Sequence, residues 1–238
     1  MDAQGSLRYQ LYKQIWAVLD YFYPPRCGGC GELGSRWCPA CEQKTTKMTM
    51  NLCRICGINL RHGNICDSCA QSRPKFTMLR SWGVYAGPLR QAIHRLKYRR
   101  DIGLGEALGL HLIELLERLK WQIDLIVPIP LSVARQAERG YNQSALLARP
   151  ISLAYRIPYK PAALHRIRDT ESQVNLNLSE RRKNVQGAFL GNTNLVSGKR
   201  ILLVDDVATS GATLDAGADG LLFAGAKEVY AITLARAL

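Results

Sequence analysis

The chain has 238 residues, 47% hydrophobic and only 8% aromatic, enough for one full domain and a small second one and too apolar for a disordered polymer. Its 32 Lys and Arg against 19 Asp and Glu give a formal charge of +13, and the excess lies before residue 190, which points to a polyanionic partner. No run approaches the roughly 18 apolar residues of a membrane span, and residues 1–30 lack an export signal, so a soluble, cytoplasmic protein without membrane insertion is expected.

Residues 1–25 carry Leu7, Leu11, Ile15, Trp16, Leu19 and Phe22 at helical spacing, and Pro24-Pro25 ends the pattern. This predicts an amphipathic helix that packs its apolar stripe against the neighbouring folded unit. Residues 26–75 hold all eight cysteines as four C-x-x-C pairs: Cys27/Cys30, Cys38/Cys41, Cys53/Cys56 and Cys66/Cys69. Two residues between thiolates let a tight turn aim both sulfurs at one ion, so four pairs make two closed tetrathiolate shells. Two structural Zn²⁺ ions are predicted. Disulfides would need the missing export signal. Spacing leaves sequential and interleaved ligation both open, and sequential ligation closes the shorter loops. His62 is a rival ligand, but four thiols already suffice for each ion. A segment this short cannot fold on its own apolar burial, so the metal replaces a core.

From residue 80 the pattern becomes alternating apolar runs and helices, predicting an α/β domain over 80–238: a parallel sheet flanked by helices. Strands are expected at Ser81–Ala86, Leu125–Ile129, Lys160–Leu164, Arg200–Asp205 and Glu228–Leu234. Helices are expected at Pro88–Tyr98, Leu104–Leu119, Asn142–Tyr155 and Leu214–Ala224. Pro150 should kink or divide the third helix.

The most informative run is Ile201-Leu202-Leu203-Val204-Asp205-Asp206-Val207-Ala208-Thr209-Ser210-Gly211-Ala212-Thr213. A buried strand ends in two carboxylates, and a small, hydroxyl-rich turn leads into a helix. The turn Ala208–Thr213 offers backbone N–H groups, hydroxyls and a helix N-terminus to one phosphate, and Gly211 permits close approach. A phosphate repels the acids, so they suit ribose hydroxyls or a divalent metal. Together they describe a ribose 5-phosphate site. Neither a G-x-x-x-x-G-K-[ST] loop nor a G-x-G-x-x-G turn occurs. Upstream, Arg95, Lys97, Arg99 and Arg100 surround Tyr98, a pattern suited to salt-sensitive binding of single-stranded nucleic acid.

The run Ile201–Thr213 is similar to the phosphoribosyl diphosphate (PRPP) motif of type I phosphoribosyltransferases. Several further segments, in order, resemble the ComF family associated with bacterial competence over residues 22–238. They are the C-x-x-C ribbons, Gly87-Pro88-Leu89 through Leu96-Lys97-Tyr98, Val127-Pro128-Ile129-Pro130-Leu131, and Arg139-Gly140-Tyr141-Asn142-Gln143. The resemblance implies a phosphoribosyltransferase-like fold with an N-terminal double zinc ribbon. Asp205 and Asp206 become the catalytic pair contacting ribose, and Ala208, Thr209, Ser210, Gly211, Ala212 and Thr213 bind the 5-phosphate. Pro130, Leu131 and Ser132 take the place of the pyrophosphate loop, with Arg135 and Arg139 nearby adding to the nucleic-acid-binding set. Arg166, Arg168, Gln173, Arg181 and Asn184 resemble a mobile lid. The implied function is handling of incoming single-stranded DNA in the cytoplasm, with PRPP, Mg²⁺ and a DNA-uptake ATPase or helicase as partners. An active phosphoribosyltransferase of nucleotide metabolism is the alternative, although no base-reading set stands out between Ala226 and Leu238.

Overall fold

Four parallel strands form the central sheet of the computed structural model, in the order β1 (Met78–Val84), β6 (Glu228–Arg236), β5 (Arg200–Ala208) and β2 (Leu125–Pro128). The structure describes residues 7–49, 51–168 and 187–238. Along β5 the side chains alternate as a strand buried on both faces requires. Leu202 and Val204 join one apolar core, Ile201 and Leu203 the other.

The first core is closed by α4 (Gly87–Tyr98), α5 (Leu104–Leu119) and α7 (Gln143–Tyr155). In α4, Pro88 sits in the first turn, where no N–H is required, and Leu89, Ala92, Ile93 and Leu96 form the buried stripe. The second core is closed by α9 (Ala212–Phe223), through Leu214, Ala218 and Leu221. Between β2 and α7 the chain forms α6 (Val133–Arg139), capped by the Ser132 hydroxyl and ended by left-handed Gly140. Sequence periodicity did not reveal this two-turn helix.

Three expectations need correction. The segment Lys160–Leu164 is not a strand of the parallel sheet. The chain makes a single bridge there, Tyr159 to Ile126, and then a 3-10 turn over Pro161–Ala163, since Pro161 has no N–H to give a ladder. The next strand, β3 (Leu164–Arg166), pairs antiparallel with β4 (Phe189–Gly191) in a separate two-stranded sheet, and α8 (Thr193–Val196) leads back to β5. Pro150 does not divide α7, which runs unbroken through it. Its ring packs on α5 where Gly109 leaves room: a Cβ at Gly109 would lie 2.5 Å from Pro150 Cγ.

The N-terminal helix α1 (Leu7–Phe22) is present, but it buries a different face from the expected one. Tyr9 is buried and Tyr12, Trp16 and Asp20 are half-buried, whereas Leu7, Leu11, Ile15, Leu19 and Phe22 are exposed. Polar anchors set that rotation: Arg36 stacks on the Trp16 ring at 4.8 Å and pairs with Asp20. Among the described residues no helix is long and apolar enough to cross a membrane.

The cysteine-rich segment, with its short helices α2 (Pro39–Gln43) and α3 (Asp67–Gln71), packs along β1, the edge of the sheet. Its linker pairs with β1 through Met48 N to Trp82 O (3.0 Å) and Val84 N to Thr46 O (2.8 Å), covering an edge that would otherwise be open to other chains.

Candidate functional site

The cysteines gather into two clusters, Cys27, Cys30, Cys38 and Cys41, then Cys53, Cys56, Cys66 and Cys69, with the sulfurs of each within 4.8 Å of one another. The grouping is sequential. Each cluster is built the same way: the N–H of Cys27 bonds Glu32 O at 2.7 Å and that of Cys53 bonds Ile58 O at 2.8 Å, closing equivalent turns. Neighbouring sulfurs lie 3.6 Å apart (Cys27 and Cys41; Cys56 and Cys66) and 3.7 Å apart (Cys30 and Cys38). A tetrahedron with metal–sulfur bonds of about 2.3 Å has edges of about 3.8 Å, so the donor set fits zinc. Backbone N–H groups point at the sulfurs, Cys38 N to Cys27 and Cys66 N to Cys53, both at 3.4 Å. Burial raises the Cys27 and Cys53 thiols, but backbone N–H donors, first those of Cys30 and Cys56 and then those of Cys38 and Cys66, outweigh it and bring each down to about 6, favouring the thiolate.

The two clusters dock at different places. The first leans on α4 and α5, where a Cβ at Gly28 would lie 2.7 Å from Leu104 Cδ1 and one at Gly29 would lie 2.8 Å from Pro88 Cβ. The second is stitched to β1, through Leu79 N to Ile55 O at 2.7 Å and Arg80 to the carbonyls of Cys53 and Arg54.

Asp205 and Asp206 lie buried near the C-terminal end of β5, where ligands bind in open α/β sheets. Two helices supply their partners, and a third braces one of them. Lys97 of α4 places Nζ 2.6 Å from Asp206 Oδ2. From α7, Gln143 Nε2 donates to Asp206 Oδ1 at 3.2 Å and Ser144 Oγ donates to Asp205 Oδ1 at 2.7 Å. Arg139, at the end of α6, donates to Gln143 Oε1 at 2.8 Å and stacks over the Tyr98 ring at 5.1 Å. Asn142 caps α7 and donates to Ile129 O at 2.8 Å, tying this corner to the segment entering Pro130-Leu131-Ser132.

The environment pushes the two acids apart. Burial, then the neighbouring Asp206 charge, raises Asp205 to about 7. Burial would raise Asp206 too, but the Lys97 ammonium outweighs it and holds that carboxyl below its ordinary value. The two carboxyls therefore differ: Asp205 favours its protonated form more than an ordinary aspartate does, and Asp206 is held ionised beside Lys97. Direct Mg²⁺ coordination does not fit Asp206 as placed, because Lys97 already occupies its Oδ2 and Gln143 its Oδ1.

Of the expected phosphate-turn residues, Thr209 is exposed, Ser210 and Thr213 are half-buried, and Ala208, Gly211 and Ala212 are buried. Gly211 takes a left-handed conformation (φ 81°) and caps α9. Ser132 is buried as the cap of α6, and Pro130 and Leu131 are half-buried beside it. Of the lid residues, Arg166 and Arg168 lie at the end of β3 and just beyond it, whereas Gln173, Arg181 and Asn184 fall outside the described residues.

The expected nucleic-acid-binding residues separate. Lys97 and Arg139 turn into the acid site, while Arg99, Arg100 and Arg135 are exposed. Arg95 and Arg99 line a cleft of about 970 Å³ with Arg26, Arg90, His94 and Asp101, between the first cluster and α4. Arg26, Arg90 and His94 were not expected there, nor were Gln143 and Ser144 at the acids. The motif Arg139–Gln143 was the one sequence signal for that corner.

Comparison with known proteins agrees with both halves of the chain. Residues 18–70 match the double zinc ribbon domain and residues 114–238 the phosphoribosyl transferase domain. DNA utilization protein YhgH of Escherichia coli K12 is 35% identical over 84% of this chain and 90% of its own length. Competence protein F of Haemophilus influenzae is 31% identical over 84% and 90%, and competence protein ComFC of Bacillus subtilis 30% over 84% and 83%. Among solved structures, a purine phosphoribosyltransferase from Pyrococcus horikoshii matches 56% of this chain and 80% of its own, at 18% identity and a TM-score of 0.32. A glutamine PRPP amidotransferase from Bacillus subtilis matches 58% of this chain and only 26% of its own, at 22% identity and a TM-score of 0.36. With a double zinc ribbon joined to a phosphoribosyltransferase domain, and relatives matched over most of both lengths, the chain belongs to the ComF/YhgH family of competence and DNA utilization proteins.

Proposed function

We propose that this protein handles incoming single-stranded DNA in the cytoplasm. In this reading its phosphoribosyltransferase-like site binds PRPP, or a ribose 5-phosphate group, in the crevice above β5. The observation that carries the reading is the double use of α4. One helix places Lys97 against Asp206 and lines the basic cleft with Arg90, Arg95 and its C-cap Arg99, so a bound strand and a bound sugar phosphate share a rigid element. The names of the relatives, DNA utilization and competence proteins, point the same way.

The residues divide by task. The turn Ala208–Thr213 holds the phosphoryl group with backbone N–H groups and hydroxyls. Asp206, kept ionised by Lys97, accepts from a ribose hydroxyl; Asp205, held by Ser144, accepts from the second once ionised. Pro130, Leu131 and Ser132, with Arg135, face the diphosphate, and Mg²⁺ enters with that group rather than through the carboxylates. Arg26, Arg90, Arg95 and Arg99 track the DNA backbone with little sequence preference. The first zinc cluster shapes the cleft wall, and neither cluster leaves an open position for catalysis.

Incubation with PRPP, Mg²⁺ and a panel of bases, assayed for pyrophosphate, tests the assignment. PRPP binding without turnover agrees with DNA handling; pyrophosphate release with one base assigns instead an active phosphoribosyltransferase.

A further inference from the structure

Arg236 closes β6, in register with Ala208 at the start of the phosphate turn. It is 3% exposed, and its Nε and Nη1 have no hydrogen-bond partner among the described residues. A guanidinium stays charged and carries five N–H donors, so leaving some unmet in the interior is costly. Its surroundings explain how the charge is tolerated. Burial works against the charge, and the sulfurs of Cys56, Cys69, Cys66 and Cys53 offset part of that cost electrostatically; four thiolates around one Zn²⁺ carry a net charge of about −2. Arg80, bonded to the Cys53 and Arg54 carbonyls, faces two of the same sulfurs, those of Cys53 and Cys56.

The unmet donors lie beside the turn. Arg236 Nη1 is 3.8 Å from where a Cβ on Gly211 would stand, and Phe76 Cε1 and Leu79 Cδ2 are equally near. Gly211, which has no side chain to cap with, opens the twelve-residue helix α9, and Ser210 Oγ accepts from the Ala212 N–H at 3.3 Å, so the helix N-terminus and the guanidinium donors converge on one place.

We propose that Arg236 is a phosphate-binding residue of the α9 turn, held there by the second cysteine cluster, which makes that zinc ribbon part of the sugar-phosphate site. The proposal rests on reading the turn as a phosphate seat. It gives the second ribbon a task the first lacks: the first shapes the DNA cleft, the second positions a cation against the ligand.

The test is titration of the zinc-loaded full-length chain with ribose 5-phosphate and with inorganic phosphate, comparing wild type, Arg236→Lys, Arg236→Met and Thr209→Ala. Arg236→Lys keeps a charge facing the sulfurs but loses the planar fork. It is expected to retain both zinc ions and to bind each probe about tenfold more weakly, and Arg236→Met to bind still more weakly. Wild-type affinity in folded, zinc-replete Arg236→Lys, alongside weakened binding in Thr209→Ala, overturns the role of Arg236 while sparing the turn. No binding of ribose 5-phosphate by the wild type overturns both. If Arg236→Met fails to fold, Arg236→Lys alone decides.

Discussion

Lys97 Nζ lies 2.6 Å from Asp206 Oδ2, and this ion pair ties the last turn of α4 to the acidic end of β5. Breaking a buried pair from one side leaves an uncompensated charge, at a cost of about 3–5 kcal/mol. Lys97→Met and Asp206→Asn should each destabilise the protein by an amount of that order in urea unfolding, and the double variant should lose less than the two combined. Strict additivity would mean that the pair is solvated and unimportant to the fold.

Asp205 gives the site a pH dependence. Its carboxyl is raised to about 7 in the folded protein, against an ordinary value near 4 in the unfolded chain. Between those values the folded state holds the extra proton, so this group's contribution to stability is greatest at low pH, falls as pH rises toward 7, and is flat above. Ligand binding runs the other way: accepting from a ribose hydroxyl favours the carboxylate, so affinity for PRPP should rise from pH 6 to pH 8. Asp205→Asn should remove most of that rise in calorimetric titrations.

Metal removal should unfold the cysteine-rich segment 26–75 and loosen more than that. Ile55, Cys53, Cys56 and Cys69 belong to the same apolar core as Leu203 and Leu214, so the second ribbon completes the packing of the α/β domain. A chelator should release two zinc ions per chain, one from each cluster, with a lowered thermal midpoint for the whole protein. Cys69→Ser should reproduce the larger part of that loss, and Cys41→Ser should act mainly on the first ribbon.

The basic cleft predicts the form of DNA binding. A plot of log affinity for a single-stranded oligonucleotide against log salt should be steeply negative. Arg90→Ala and Arg99→Ala should each make the slope shallower by about 0.7, the loss of one phosphate contact. Binding that does not respond to salt would remove the electrostatic account of the cleft.

How much of this was written in the sequence depends on how local each signal is. The cysteine pairs, the acid doublet and the turn after it are contiguous, and each could be read as chemistry before any fold was known. In sequence, Arg95, Arg99 and Arg100 group Lys97 with DNA-binding residues; its place four residues after Ile93, at the margin of the buried stripe, is the sign that it turns inward. Arg26 and Arg90 meet only when the first ribbon docks on α4, and Arg236 nears the turn only through the pairing of β6 with β5. The rotation of α1 depends on Arg36, which its own periodicity does not contain.

The most direct test is calorimetric titration of the zinc-loaded wild type with PRPP and with ribose 5-phosphate, beside Thr209→Ala and Asp206→Asn. Saturable heat with both ligands in the wild type, at least tenfold weaker in each variant, is what a sugar-phosphate site above β5 predicts. Absence of heat in the wild type, or equal affinity in all three proteins, would contradict it.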